Sequence, residues 1–110
     1  MTKVTVSSGA CGYTVSITAE KTKDKKIRVT FESECEMVMA MAEDIALLDM
    51  MMALFTDHLN NPVYRAAARH LKHAACPVVS GILKAVEVEA GMAVPRDVHI
   101  VFQKDEDKNT

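Results

Sequence analysis

Apolar and polar residues alternate with a period of two in four stretches of this chain, and recur at helical spacing between them. Val4-Thr5-Val6 begins a first strand, which Ser7-Ser8-Gly9-Ala10-Cys11-Gly12 turns back on itself. Tyr13, Val15, Ile17 and Ala19 then alternate with Thr14, Ser16 and Thr18, the pattern of a half-buried strand. The polar run Lys21 to Lys26 is a hairpin turn, after which Ile27, Val29 and Phe31 alternate with Arg28, Thr30 and Glu32 as a third strand. Far downstream, Val98, Ile100 and Phe102 alternate with His99, Val101 and Gln103. This predicts a last strand lying parallel to the first or third.

The helical region starts at Ser33-Glu34-Cys35-Glu36, which fits a capping box with Ser33 as N-cap and Cys35 in the first turn. Val38, Met41, Ile45, Leu48, Met52 and Phe55 then form one continuous stripe, predicting a single long helix. Asn60-Asn61-Pro62 stops it and starts another, with Asn61 as N-cap and Pro62 at the first helical position. Tyr64, Ala67, Ala68, Leu71 and Ala75 mark the buried face of that second helix, which reaches Cys76. Pro77 forces Cys76 into an extended conformation and suits the start of a third helix through Ile82, Leu83 and Val86 to a C-cap at Gly91. The expected fold is therefore α+β and two-layered: a β-meander, three helices and a final strand, making a four-stranded mixed sheet with the helices on one face. Thr14, Ser16, Thr18 and Thr30 line its other face. An even number of crossings separates Cys11, Cys35 and Cys76, so all three belong at the same end.

At 110 residues and 49% hydrophobic, the chain suits one domain with one core. That domain is expected over residues 1–103, followed by a charged, apolar-free tail, 104–110, expected to be disordered. A net charge of −2 gives no reason to expect a nucleic-acid partner. The cluster Lys21, Lys23, Lys25 and Lys26 is offset by Glu20 and Asp24 and reads as a solvated turn. The most apolar segment, Met37 to Phe55, is broken by Glu43, Asp44 and Asp49, so no membrane span is expected. Met1-Thr2-Lys3-Val4 lacks the apolar region of a signal peptide. A cytoplasmic protein with reduced thiols is the expectation.

The candidate chemistry lies in the three cysteines. Gly9-Ala10-Cys11-Gly12 and Ala74-Ala75-Cys76-Pro77 are loops with small neighbours, and Cys35 and Cys76 stand where helices begin. Free N–H groups and positive potential at helix starts favour a thiolate, the form that attacks electrophiles and binds metal. These residues favour a three-thiolate site of Cys11, Cys35 and Cys76 holding zinc or an iron–sulfur cluster. A structural zinc would want a fourth protein ligand. His73 is the nearest, although on an ideal helix it faces solvent and reaches the site only if the helix has ended by then. Two alternatives stand beside this reading. One is a thiol-redox protein that pairs Cys35 with Cys76, with Cys11 as resolver or spectator. The other is a non-catalytic interaction module with buried cysteines. Met37, Met39, Met41, Met50, Met51 and Met52 all fall on the expected long helix and make it apolar nearly all round. Most of this is expected to be core packing, and the surplus suggests a second partner, either another helix of the chain or a homodimer face. No phosphate loop or nucleophile elbow is present, so no reaction is assigned. His58, His70 and His99 stand alone, and Lys84 and Glu87 form a surface pair.

The chain resembles a small uncharacterised three-cysteine family of anaerobic bacteria and archaea. The resemblance rests on Ser8-Gly9-Ala10-Cys11-Gly12-Tyr13, on Ser33-Glu34-Cys35-Glu36 and on Cys76-Pro77-Val78-Val79 leading into Lys84-Ala85-Val86-Glu87-Val88-Glu89-Ala90-Gly91. Met92-Ala93-Val94-Pro95-Arg96-Asp97-Val98 extends it. It implies the same three thiols without implying an activity.

Overall fold

The computed structural model describes residues 1–104; the expected charged tail lies, from Asp105 onward, outside the described residues. Three strands form where the alternation places them: β1 (Thr2–Ser7), β2 (Thr14–Lys21) and β3 (Lys26–Ser33). Each hairpin is antiparallel, with Val4 opposite Ile17, Val6 opposite Val15 and Ile17 opposite Phe31. The tight β2–β3 turn puts Lys25 at a φ of 61° and closes on a Thr22 N–H to Lys26 C=O bond of 2.8 Å. Val15, Ile17, Ala19, Ile27 and Val29 point into the core, while Thr14, Ser16, Thr18 and Thr30 take the open face, as expected.

The fourth strand is a correction. β4 (Leu47–Asp49) pairs antiparallel with β3, with Ile27 opposite Leu48, and the sheet order is β1-β2-β3-β4. The sheet is therefore antiparallel throughout and not mixed, and residues 97–104 form no strand. The place beside β3 is taken by a segment the helical stripe had concealed. Instead of one long helix there are α1 (Glu36–Asp44) and α2 (Met50–Phe55), interrupted by β4. Asp49 explains the interruption: its carboxylate accepts from the N–H groups of Met51 and Met52 at 3.0 and 3.1 Å, capping a new helix. The restart resets the phase. Val38, Met41, Ile45 and Leu48 are buried as expected, but α2 buries Met50 and Ala53 and leaves Met52 and Phe55 outside. Capping at the start of α1 also differs by two residues: Cys35 is the N-cap, and the Ser33 hydroxyl accepts its N–H at 3.1 Å.

Asn61 caps α3 (Pro62–His70) as the sequence predicts, accepting from Val63 N–H at 2.9 Å. Its amide also donates to the carbonyls of Ala53 at 2.7 Å and Thr56 at 3.3 Å, locking α2 to α3 from a buried position. The helix buries Val63 and Ala66, with Tyr64 and Ala67 half-buried, and ends well before Cys76. The last helix, α4 (Val78–Glu89), closes with Gly91 at a φ of 80° and backbone bonds from Gly91 to Val88 and from Met92 to Glu87, a left-handed cap only glycine adopts without strain. α4 lies across β1 and β2, and α1 across β3. Gly81 lets α4 approach β1 closely, since a Cβ there would run into the Val6 side chain. At the other end Glu89 accepts from the Thr2 hydroxyl at 2.7 Å and the Lys21 N–H at 2.9 Å. The outcome is an α+β fold: an open four-stranded sheet and four helices.

Candidate functional site

Register places the thiols. Ser7 lies opposite Thr14 and Val15 opposite Ser33, so the end of β1, the start of β2 and the end of β3 share one end of the sheet. Cys11 sits there in a 3-10 turn (Gly9–Cys11) between Gly9 and Gly12, both at positive φ, and is exposed. Cys35, two residues beyond β3, is buried as the N-cap of α1. Cys76 is half-buried just ahead of α4, whose Gly81 meets β1 at Val6, next to the strand's last residue. Because α3 stops at His70, His73 has left the helix, and its carbonyl accepts the Cys76 N–H at 3.2 Å in a turn. Its ring is exposed. The three cysteines are free thiols, and among the described residues no group of three or more His, Cys, Asp or Glu side chains is placed to hold a metal ion. The thiols share an end but not a ligand cluster, and Cys35 packs as part of the core.

A second cluster escaped the sequence reading. His70 is not alone: its Nε2 lies 2.8 Å from Asp44 Oδ2, and the Arg69 guanidinium bonds the same oxygen at 3.1 Å. These hydrogen bonds, from His70 first and Arg69 next, outweigh partial burial and hold the Asp44 carboxyl below its ordinary range. The partners are more than twenty residues apart on α1 and α3, so no local spacing could have joined them. His58 likewise has a partner, stacked on Tyr64 with ring centroids 4.5 Å apart. Lys84 and Glu87 do pair on α4, at 3.4 Å.

Next to Asp44 and Arg69 runs an open groove of about 380 Å³, lined by Leu47, Met52 and Arg65 among others. Its apolar side continues onto α2, where Met51 and Met52 are each 52% exposed and Phe55 64%. A helix of six residues carrying three large apolar side chains in water is an unpartnered surface. Of the methionines expected on one helix, Met41 and Met50 are buried and Met37 half-buried, leaving Met39, Met51 and Met52 outside. Among the described residues, no helix is long and apolar enough to cross a membrane.

These features define a small α+β protein with free thiols at one end of an open sheet and apolar surface on its shortest helix. The chain belongs to DUF6951, a family of unknown function, whose model matches residues 2–102. No curated protein and no solved structure matches it.

Proposed function

We propose that the protein is a small interaction module that works by associating with a second copy of itself. The observation that carries this reading is the exposure of Met51, Met52 and Phe55 on α2, continuous through Met52 with Leu47 in the neighbouring groove. Surfaces of this kind on a small domain mark a place for another macromolecule. The groove is lined by charge of both signs, Asp49 and Arg65 beside the Asp44–Arg69 pair, which suits a self-complementary contact between two identical faces. Sedimentation of the full chain over a wide concentration range tests it. The expected result is a dimer that a Met51→Lys, Met52→Lys, Phe55→Lys variant weakens while circular dichroism stays unchanged. A wild-type chain that remains monomeric throughout overturns the reading.

The shared end of the thiols favours a second reading, a metal or thiol-redox site of Cys11, Cys35 and Cys76, in the cytoplasm where thiols stay reduced. Zinc or an iron–sulfur cluster would draw the exposed Cys11 turn toward Cys35 and Cys76, with His73 available from the turn it shares with Cys76. Metal content and visible absorbance of protein purified without oxygen test it. Stoichiometric metal lost in each of the three Cys→Ala variants supports a three-thiolate site. A metal-free protein with three freely titrating thiols favours redox chemistry, and unreactive thiols leave association alone.

A further inference from the structure

The most unusual part of the molecule is neither the thiol end nor α2 but the segment after α4. Residues 97–104 make no hydrogen bond, backbone or side-chain, with any described residue. Their N–H and C=O groups are therefore free to pair elsewhere. Val98, Ile100, Val101 and Phe102 are all well exposed. The described chain spans 57 × 29 × 25 Å, with a radius of gyration of 15.1 Å. A compact chain of about 100 residues has a radius near 13 Å. An arm from Met92 to Lys104 can reach up to about 40 Å when extended, enough to account for the long axis.

The same chain holds an edge that fits this arm. β1 pairs with β2 alone, so its outer edge offers unpaired backbone groups along six residues. Val4 and Val6 face the helices, since they stand opposite the buried Ile17 and Val15, yet both are only half-buried, with no described strand beyond β1. The other edge, β4, has three residues and runs straight into α2, too short to seat the arm.

We propose that residues 97–103 add as a strand to the free edge of β1 in a second copy of the chain, the two protomers exchanging arms about a two-fold axis. This rests on the self-association proposed above and adds a second contact to the α2 face. Placed on that edge, Val98, Ile100 and Phe102 continue the helix-side row of Val4 and Val6, while Asp97, His99 and Gln103 join Lys3, Thr5 and Ser7 on the polar face. Of the arm's apolar residues, Val101 alone falls on the polar side. The occupant is a second copy because the arm leaves its own edge unpaired even though Glu89, at the end of α4, already touches Thr2 at the foot of β1. The family's model covers the arm as far as Phe102.

The test uses the full chain and an Ile100→Glu, Phe102→Glu variant; both side chains are exposed in the protomer, so the fold survives the change. Sedimentation gives the dimer dissociation constant, and amide hydrogen exchange followed by mass spectrometry reads protection over residues 2–7 and 97–103. The expected result is a dimer in which both segments are protected, and a variant whose dissociation constant rises at least about 100-fold with protection lost in both. A dimer that persists in this variant overturns arm exchange but leaves self-association standing, and the α2 lysine variant then locates the contact. A monomeric wild type overturns both. Protection of residues 97–103 in a monomer would mean that the arm docks on its own β1, which also overturns the exchange.

Discussion

Val15, Ile17 and Ala19 on β2 are at most 1% exposed, whereas Val98, Ile100 and Phe102, set at the same period of two, are 63%, 81% and 97% exposed. The difference lies in the neighbours and not in the residues. β2 is bonded to β1 on one side and β3 on the other and is roofed by α4, so each apolar side chain meets partners in three directions. Residues 97–104 have the same strand-forming character and no hydrogen-bonded neighbour among the described residues. A period-two pattern states that a segment can be a strand with one wet face; it says nothing about which edge, or whose, will receive it.

Shortening the two regions alike gives the largest contrast. Ile17→Ala should cost about 2–5 kcal/mol in urea unfolding, and Ile100→Ala, measured at concentrations where the protomer is alone, no more than about 0.5 kcal/mol. Equal losses would mean that the arm is already packed within the protomer. Asn61→Ala should follow, at about 2–3 kcal/mol, because it leaves the buried Ala53 carbonyl, the part-buried Thr56 carbonyl and the Val63 N–H without this partner. Asn61→Asp sharpens this, keeping the cap acceptor but removing the donors, and should not restore the native midpoint. Gly81→Ala should cost about 1 kcal/mol by crowding Val6, beyond what alanine returns in helix propensity. The loss should largely vanish in a Val6→Ala background.

The smallest effect is on acidity. Asp44 is held below its ordinary value by His70 and Arg69. At Glu89 burial opposes the charge, but the Lys21 N–H, the Thr2 hydroxyl and the N-terminal ammonium together bring the carboxyl down. A lowered pKa means that the unfolded chain binds protons first as pH falls, so this stabilisation is complete above the ordinary carboxylate range of about 4 and is lost through and below it. Urea midpoints should fall from about pH 6 to pH 3, and Asp44→Asn with Glu89→Gln should flatten that slope.

Much of the body could be read from residue order. The three-stranded meander, the Asn61-Pro62 restart and the Gly91 stop each depend on local chemistry that carries its own signal. β4 did not, because Ile45, Leu48 and Met52 keep helical spacing across a break that only Asp49 marks, and a capping aspartate inside an apolar run is easily taken for a surface charge. The placement of the three thiols followed from parity, which counts crossings and is indifferent to where each element begins. Whether sulfurs meet depends on distances of a few ångströms in loops, and parity has no such resolution. Asp44 with His70 was invisible for the related reason that its two helices are brought together only by packing.

Glu89 ties α4 to the first residues of β1, so the two ends of the folded body are among its earliest- and latest-made parts. During synthesis the β1 and β2 segments leave the ribosome well before α4, with Val4, Val6, Val15 and Ile17 without that cover until α4 is made. At roughly 5–20 residues per second this takes several seconds. For that interval the apolar face of β1 and β2 lacks the helix that covers it in the finished protein.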